Sequence, residues 1–245
     1  MKILETYYRF WSEGQLFSIA EANKINVFWI VEAGCHDGTD TVELNRKFNP
    51  IDYFAFEPDP VAYSRAREII NSKSLANVTL FEEGLGDANS TKFLNYLAAG
   101  KGSGSTFLSD HGEEQVSISR LDDKLPANLK GGGLLWLDVE GHTIDALSGM
   151  MNTLKKIDIA KVEVQLHSRN DNFKQDFAEV LNIFQQAGMV PLYGPLHPGY
   201  FGDIIFIRVS FLSLIARLRS KFLLAQLLVL HTYVYPAMGK PAYLQ

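Results

Sequence analysis

Of all the stretches in this 245-residue chain, Glu32-Ala33-Gly34-Cys35-His36-Asp37-Gly38 most restricts the fold: an apolar run, Val27 to Val31, delivers it, and a helix-like segment follows. A strand that turns at once into a helix needs residues able to take positive φ, and two glycines four apart supply them at little cost. The helix that follows presents unpaired N–H groups. Such a turn suits a nucleotide-like ligand lying against the backbone. The G-x-G-x-x-G spacing of dinucleotide sites is absent and no lysine cradles a pyrophosphate, so phosphate is not the guest the motif announces.

The rest of the chain repeats this alternation. Strand one is expected over Val27 to Ala33, and a short helix over Thr39 to Phe48 with Val42, Leu44 and Phe48 as its apolar contacts, closed by Pro50. A second strand, Ile51 to Phe56, stops at Glu57-Pro58-Asp59-Pro60, where Asp59 can cap a helix running to about Ser72. Val78 to Phe81 is the third, running into the turn-rich stretch Glu82 to Asp87, and Thr91 to Tyr96 reads as a short extended piece. Ala98 to Gln115, with four glycines among serines, reads as a mobile loop, either a lid or a surface excursion. Val116 to Arg120 alternates like a half-buried strand, and Leu134 to Leu137 is a continuous apolar run suited to a central parallel strand. A helix from Thr143, a strand from Lys161 to Leu166 and a patterned helix with Phe173, Phe177, Val180, Leu181 and Phe184 on one face follow, the last ending at Gly188. Met189 to Tyr193 and Ile204 to Arg208 form a closing pair joined by a loop. The expected architecture is α/β, a doubly wound and mostly parallel sheet, which binds ligands beyond the carboxyl ends of its strands. Glu32, Glu57, the Glu82 to Asp87 turn, Asp138 and His167 all fall at that rim.

Three segments are expected: an N-terminal helical segment over residues 1–26, a central domain over 27–210 and an apolar helical extension over 211–245. Tyr7, Tyr8, Phe10 and Trp11 fit a docked N-terminal helix, and the absence of an apolar leader there points to a cytoplasmic protein. The net charge of -5, without a basic run, excludes nucleic acid as the main partner. Cys35 is the one cysteine, so no internal disulfide forms, and inside the turn it reads as a small space-filler. The tail from Phe211 to Tyr235 carries Arg217, Arg219 and Lys221 near its start; its uncharged part is shorter than the roughly 20 residues a membrane-crossing helix needs. It is expected to pack on its own domain or on a second subunit, with a membrane-surface helix as the alternative.

At the rim, Glu57 lies about 20 residues past the glycine turn at the end of the neighbouring strand, where a carboxylate can accept hydrogen bonds from both hydroxyls of a ribose. Leu85, Gly86 and Asp87 can supply a platform and donors for a base. Asp138 and Glu140 flank Val139, so in extended backbone both side chains point the same way, and together they are candidates to hold a divalent cation; capping a helix or binding an amine is the other reading, and no metal is assigned.

Glu32 to Gly38, Phe56-Glu57-Pro58-Asp59-Pro60, Leu121-Asp122, and Leu137-Asp138-Val139-Glu140-Gly141 with Leu147 and Gly149 together resemble the FkbM-type methyltransferases, a branch of the class I S-adenosylmethionine-dependent enzymes. The resemblance covers about Val27 to Arg208. It implies a Rossmann-like seven-stranded sheet whose last strand is antiparallel, and methyl transfer to an oxygen of a saccharide, a glycoconjugate or a natural-product-like small molecule. It further implies that the turn from Glu32 through Gly34, His36 and Asp37 to Gly38 holds the amino-acid portion of the cofactor. Glu57, beside Pro58, then takes the ribose, and Asp138 sits next to the sulfonium. Cys35-His36 departs from the small residues or Asn common there. An alcohol needs a base within hydrogen-bond reach, for which His167, Asp138, Glu140 and His142 are candidates. Two other readings stand beside this one: a cofactor-binding or assembly module that works through the apolar tail, and a nucleotide-dependent oxidoreductase, which the missing glycine spacing disfavours.

Overall fold

Continuous apolar strands need cover on both faces, and the chain supplies it with helices wound on either side of one sheet. The computed structural model describes residues 15–96, 100–102, 106–165, 177–194 and 201–230. In order these form α1 (15–22), β1 (Trp29–Ala33), α2 (Thr39–Phe48), β2 (Asp52–Phe56), α3 (Pro60–Ser72), β3 (Val78–Phe81), β4 (Gly84–Leu85), β5 (Ser90–Tyr96), β6 (Thr106–Ser109) and β7 (Glu114–Ser119). There follow α4 (Leu121–Lys124), β8 (Gly133–Leu137), α5 (Thr143–Ser148), α6 (Met151–Leu154), β9 (Ile157–Gln165), α7 (Phe177–Gln186), β10 (Met189–Tyr193), β11 (Phe201–Arg208) and α8 (Leu214–Val229).

Seven strands make the main sheet in the order β10-β11-β9-β8-β1-β2-β3. Only β11 runs against the others, pairing antiparallel with both β9 and β10. This is the expected doubly wound, Rossmann-like sheet with an antiparallel last strand. One face buries Val31, Phe56, Leu135, Leu137 and Val162 under α5, α6 and α7, and the other buries Ile30, Tyr53, Trp136 and Ile159 under α1, α2 and α3. The helix starts follow local chemistry: Asp59 accepts the N–H groups of Val61 and Ala62, with Pro60 in the first turn of α3. Asp122 caps α6 from a distance, accepting the Asn152 and Thr153 N–H groups and the Thr153 hydroxyl. Leu121-Asp122 is therefore a brace between α4 and α6.

Two expectations need correction. Ala98 to Gln115 is not one structureless loop. Thr106–Ser109 pairs antiparallel with Phe93–Tyr96, and β7 begins already at Glu114, so both join a four-stranded second sheet ordered β4-β7-β5-β6. Leu94, Val116 and Ile118 give that sheet a small core of its own, which the glycine-rich composition concealed. Residues 100–102 are also fixed, since Gly102 donates to Asp59 and its carbonyl accepts from Arg65. Second, Val139 to Gly141 is not extended: Glu140 and Gly141 have φ of 45° and 96°, so the chain turns sharply after β8. The helix expected from Thr143 starts there and ends at Ser148, with α6 beyond Gly149, where a Cβ would sit 1.9 Å from the Gly86 carbonyl.

Helix α8 lies along β10, the edge strand, where the Ser220 hydroxyl donates to the outward Pro191 carbonyl at 2.5 Å. Among the described residues, no helix is long and apolar enough to cross a membrane.

Candidate active site

Three adjacent parallel strands end in register. Ala33 of β1 is level with Phe56 of β2 and with Leu137 of β8, so Gly34, Glu57 and Asp138 are the first residues past three neighbouring strand ends. Backbone hydrogen bonds hold the exits together: Gly34 and Cys35 donate to the Phe56 carbonyl, and Asp138 donates to that of Ala33. Gly34 is required here twice over. Its φ is +82°, and a Cβ would lie 1.8 Å from the Asp138 carbonyl oxygen. Gly38, at φ +79°, lets α2 start against α3, where a Cβ would meet Ile69 and Ala66. Cys35 is buried in the core; burial, with the Glu32 and Glu57 charges adding to it, pushes its thiol well up and keeps it protonated.

Glu57 is buried, with Oε2 accepting the His36 N–H at 2.8 Å and Oε1 accepting the Asp59 N–H at 2.9 Å. Each oxygen thus keeps acceptor capacity for a further donor. Burial pushes its pKa up to about 7; the charges of Asp59 and Asp138 add to this, while the two N–H bonds oppose it. A Cβ on Gly84 would lie 3.6 Å from the Pro58 ring, so the second sheet passes close to the loop that carries Glu57. His36 itself has φ +50° and its Nε2 lies 3.1 Å from the Gly102 carbonyl, so the glycine-rich segment rests on the turn at that point.

Glu32 occupies a different position from its neighbours at the rim. It is fully buried, and its Oε2 accepts the Thr41 hydroxyl at 2.5 Å and the Tyr53 hydroxyl at 2.7 Å. It ties the strand end to α2 and β2 from beneath. Leu85 is likewise buried, in the core under β1 and β8, and Gly86 is buried against Ile118, whereas Asp87 is exposed and its carbonyl accepts from Arg120. Asp37 caps locally, accepting the Thr39 N–H at 3.1 Å.

Beyond β8 the structure gathers charges. Oxygen atoms of Asp138, Glu140 and Glu163 lie within 4.8 Å of one another, despite the turn at Glu140. Lys161, buried on the adjacent strand, sits 3.0 Å from Asp203 and 3.9 Å from Asp138, with its ammonium 4.4 Å from the centre of the Trp136 ring. Burial alone would lower the Lys161 pKa, but Asp203, Asp138 and Glu163 outweigh it and hold the ammonium charged. Glu163 moves well above the usual carboxylate range through burial and through the nearby Asp138 charge, only partly offset by Lys161. Such a group can be neutralised by a proton on Glu163, or the trio can hold a hard cation through its oxygens.

Lys161, Glu163 and Asp203 escaped the reading of the sequence. Their signal was a period-2 pattern, Lys161-Val162-Glu163-Val164, that sets two charges on one face of an otherwise apolar central strand. Asp203 is level with Glu163 on the paired strand and so shares that face. His142 is partly engaged: its Nε2 accepts the Leu108 N–H at 3.3 Å, and Nδ1 faces Asp145 at 3.4 Å. His167, like Tyr7, Tyr8, Phe10, Trp11 and Phe173, lies outside the described residues.

Comparison with known proteins bears on the same segments. The chain is similar to the 2-O-methyltransferase NoeI of Sinorhizobium fredii (strain NBRC 101917 / NGR234), with 33% identity over 146 residues, 52% of this chain and 59% of that protein. Methyltransferase 1 of Beauveria bassiana (strain ARSEF 2860) is 28% identical over 182 residues, 65% of this chain and 71% of the relative. Among solved structures, the methyltransferase FkbM of Methylobacillus flagellatus KT superposes with a TM-score of 0.50 at 14% identity, covering 74% of this chain and 44% of that one, a likeness of fold. The chain thus spans less than two thirds of the length of NoeI and of the Methylobacillus protein. The sequence profile of the methyltransferase FkbM domain matches residues 32–191, from the acid of the glycine turn to the edge strand, and the chain belongs to that family.

Proposed function

We propose that the chain is an S-adenosylmethionine-dependent O-methyltransferase, with residues 27–210 as its catalytic domain, acting on a hydroxyl of a saccharide, a glycoconjugate or a related small molecule. The observation that carries this is Glu57: a buried carboxylate at the strand end next to the glycine turn, fixed by one backbone N–H on each oxygen. That arrangement fits a vicinal diol, because each oxygen can accept one hydroxyl while the backbone keeps the carboxylate from turning. NoeI, a 2-O-methyltransferase by name, supports oxygen as the acceptor atom.

When bound, the cofactor supplies a methyl group on positively charged sulfur. The chain's part is alignment and charge. The turn from Gly34 to Gly38 receives the amino-acid portion, Glu57 orients the ribose, and Asp138 sets a negative group at the neighbouring strand end. Glu32 acts from below, through Thr41 and Tyr53, by keeping the turn in place. The acceptor hydroxyl must lose its proton as its oxygen attacks the methyl carbon, and Asp138, Glu140 and His167 are the groups proposed for that transfer. Glu163, whose carboxyl burial pushes well above the usual range, is suited in its protonated form to donate a hydrogen bond to an acceptor oxygen.

The test is a labelled methyl donor incubated with extracted glycans and small hydroxylated metabolites. Label should move to an oxygen of one of these, and Asp138→Asn should slow the transfer. Cofactor binding without transfer to any hydroxylated acceptor would leave the chain a binding module, while failure of Glu57→Ala and Gly34→Val to weaken binding would discard the assigned site.

A further inference from the structure

A helix with apolar residues on opposite sides normally buries both of them, yet α8 is covered on one side only. Its inner face, with Ser220 and Leu227, packs on β10 at the sheet edge. At 100° per residue the opposite face is a continuous stripe of Leu214, Leu218, Phe222, Ala225 and Val229, with Ile215 beside it. Leu214 is 75% exposed, Phe222 67% and Leu218 60%, values far from those of residues serving a core.

Charge says what covers the stripe. Arg217 and Lys221 line one of its borders and Arg219 the other, all three exposed. The helix holds no acidic residue, and neither does the sequence anywhere after Asp203, although the chain as a whole carries -5. A second copy meeting this stripe with its own would bring two sets of basic borders together with nothing to offset them. A bilayer surface of anionic lipids meets both features at once: acyl chains for the stripe and headgroups for its borders. Its 16 described residues are tied to the sheet edge, and no described helix is long and apolar enough to cross a bilayer, so this stretch is placed in the interface.

We infer that α8 is a membrane-surface helix that seats the protein on an anionic phospholipid bilayer through Leu214, Ile215, Leu218, Phe222 and Val229, with Arg217, Arg219 and Lys221 at the headgroups. The inference goes beyond the methyl-transfer reading and does not depend on it. A Cβ on Gly194, just past the carboxyl end of β10, would lie 2.9 Å from Leu227, so the last turn of α8 comes close to the rim where the candidate site lies. The bilayer would therefore run beside that rim.

The test uses the full chain and sedimentation with vesicles of phosphatidylserine and phosphatidylcholine, against vesicles of phosphatidylcholine alone, without any methyl donor. The protein should sediment with the anionic vesicles, release as salt rises, and lose roughly 100-fold in partitioning in the triple variant R217Q/R219Q/K221Q. Leu218→Ser with Phe222→Ser should abolish binding while the melting profile stays native-like. Wild-type protein that ignores anionic vesicles, or binds neutral ones equally well, overturns the proposal whatever the variants do. So does a doubled mass in light scattering that the Leu218 and Phe222 changes reverse in the absence of lipid, since the stripe would then belong to a second copy.

Discussion

Glu57 offers the sharpest perturbation, because its protonation and its proposed ligand contact are coupled. A ribose hydroxyl donates to the ionised carboxylate and gains far less from the protonated one. With a pKa near 7 in the free protein, about half the molecules are competent at pH 7, about nine-tenths at pH 8 and roughly one in a hundred at pH 5. Affinity for a ribose-bearing ligand should therefore fall about 100-fold between pH 8 and pH 5. The suitable probe is methylthioadenosine, which keeps the nucleoside but lacks the titrating amino-acid portion. Glu57→Gln removes the charge and turns an amide N–H toward one of the two backbone donors. Two charge-assisted hydrogen bonds, each stronger than a neutral one by about 1 kcal/mol or more, then weaken, which amounts to roughly a 30-fold or greater loss at pH 8. Calorimetric titrations of both proteins across that range decide the matter: a steep pH dependence in the wild type should flatten in the variant. Affinity that is level with pH in the wild type, or equal in the two proteins at pH 8, would refute the coupling. Stability gives a check of opposite sign. A carboxyl raised from 4.5 to about 7 on folding binds more protons in the native state, so stability falls as pH rises through that window, and Glu57→Gln should remove the slope.

Other consequences follow from the same geometry. Gly34→Ala forces a Cβ onto the Asp138 carbonyl and should abolish cofactor binding in calorimetry, with a loss of unfolding free energy of about 3 kcal/mol or more in denaturant melts. Lys161→Met leaves the half-buried Asp203 and Asp138 beside Glu163 without their cation; a loss of about 1–3 kcal/mol is expected at pH 8, less than for a fully buried pair. That loss should shrink as pH falls and Asp203 and Glu163, both pushed up by burial, take up protons, so melting temperatures of variant and wild type should converge toward acid. Asp122→Ala removes three hydrogen bonds to Asn152 and Thr153 and should cost about 1–2 kcal/mol in unfolding while leaving cofactor affinity unchanged. Because Lys161 already places a positive charge by Asp138, turnover should withstand a chelator; loss restored by magnesium would instead assign Asp138, Glu140 and Glu163 to a metal.

The main sheet was legible because its strands are either continuous apolar runs, as in Leu134 to Leu137, or end in polar and glycine-rich exits. The candidate rim was legible for the same reason, since Gly34, Glu57 and Asp138 mark three strand ends that parallel pairing must align. The second sheet was not. Thr106 to Ser109 is too short to announce itself, and its partner across the fold, Phe93 to Tyr96, is supplied by tertiary pairing. The charge cluster was missed for a related cause: Lys161, Glu163 and Asp203 acquire meaning only when β11 inserts between β9 and β10 and brings Asp203 level with Glu163. The tail divides in the same way. Its length and basic start were plain, but an apolar stripe on the uncovered side of α8 emerges only once Ser220 and Leu227 fix which side faces the sheet.

The most direct measurement is a crystal structure of the protein with S-adenosylhomocysteine. The account predicts both ribose hydroxyls within hydrogen-bond distance of the two Glu57 oxygens, the amino-acid portion against the Gly34 to Gly38 turn and the sulfur facing Asp138. A nucleoside bound elsewhere, or a Glu57 carboxylate left untouched by it, would contradict the account at its centre.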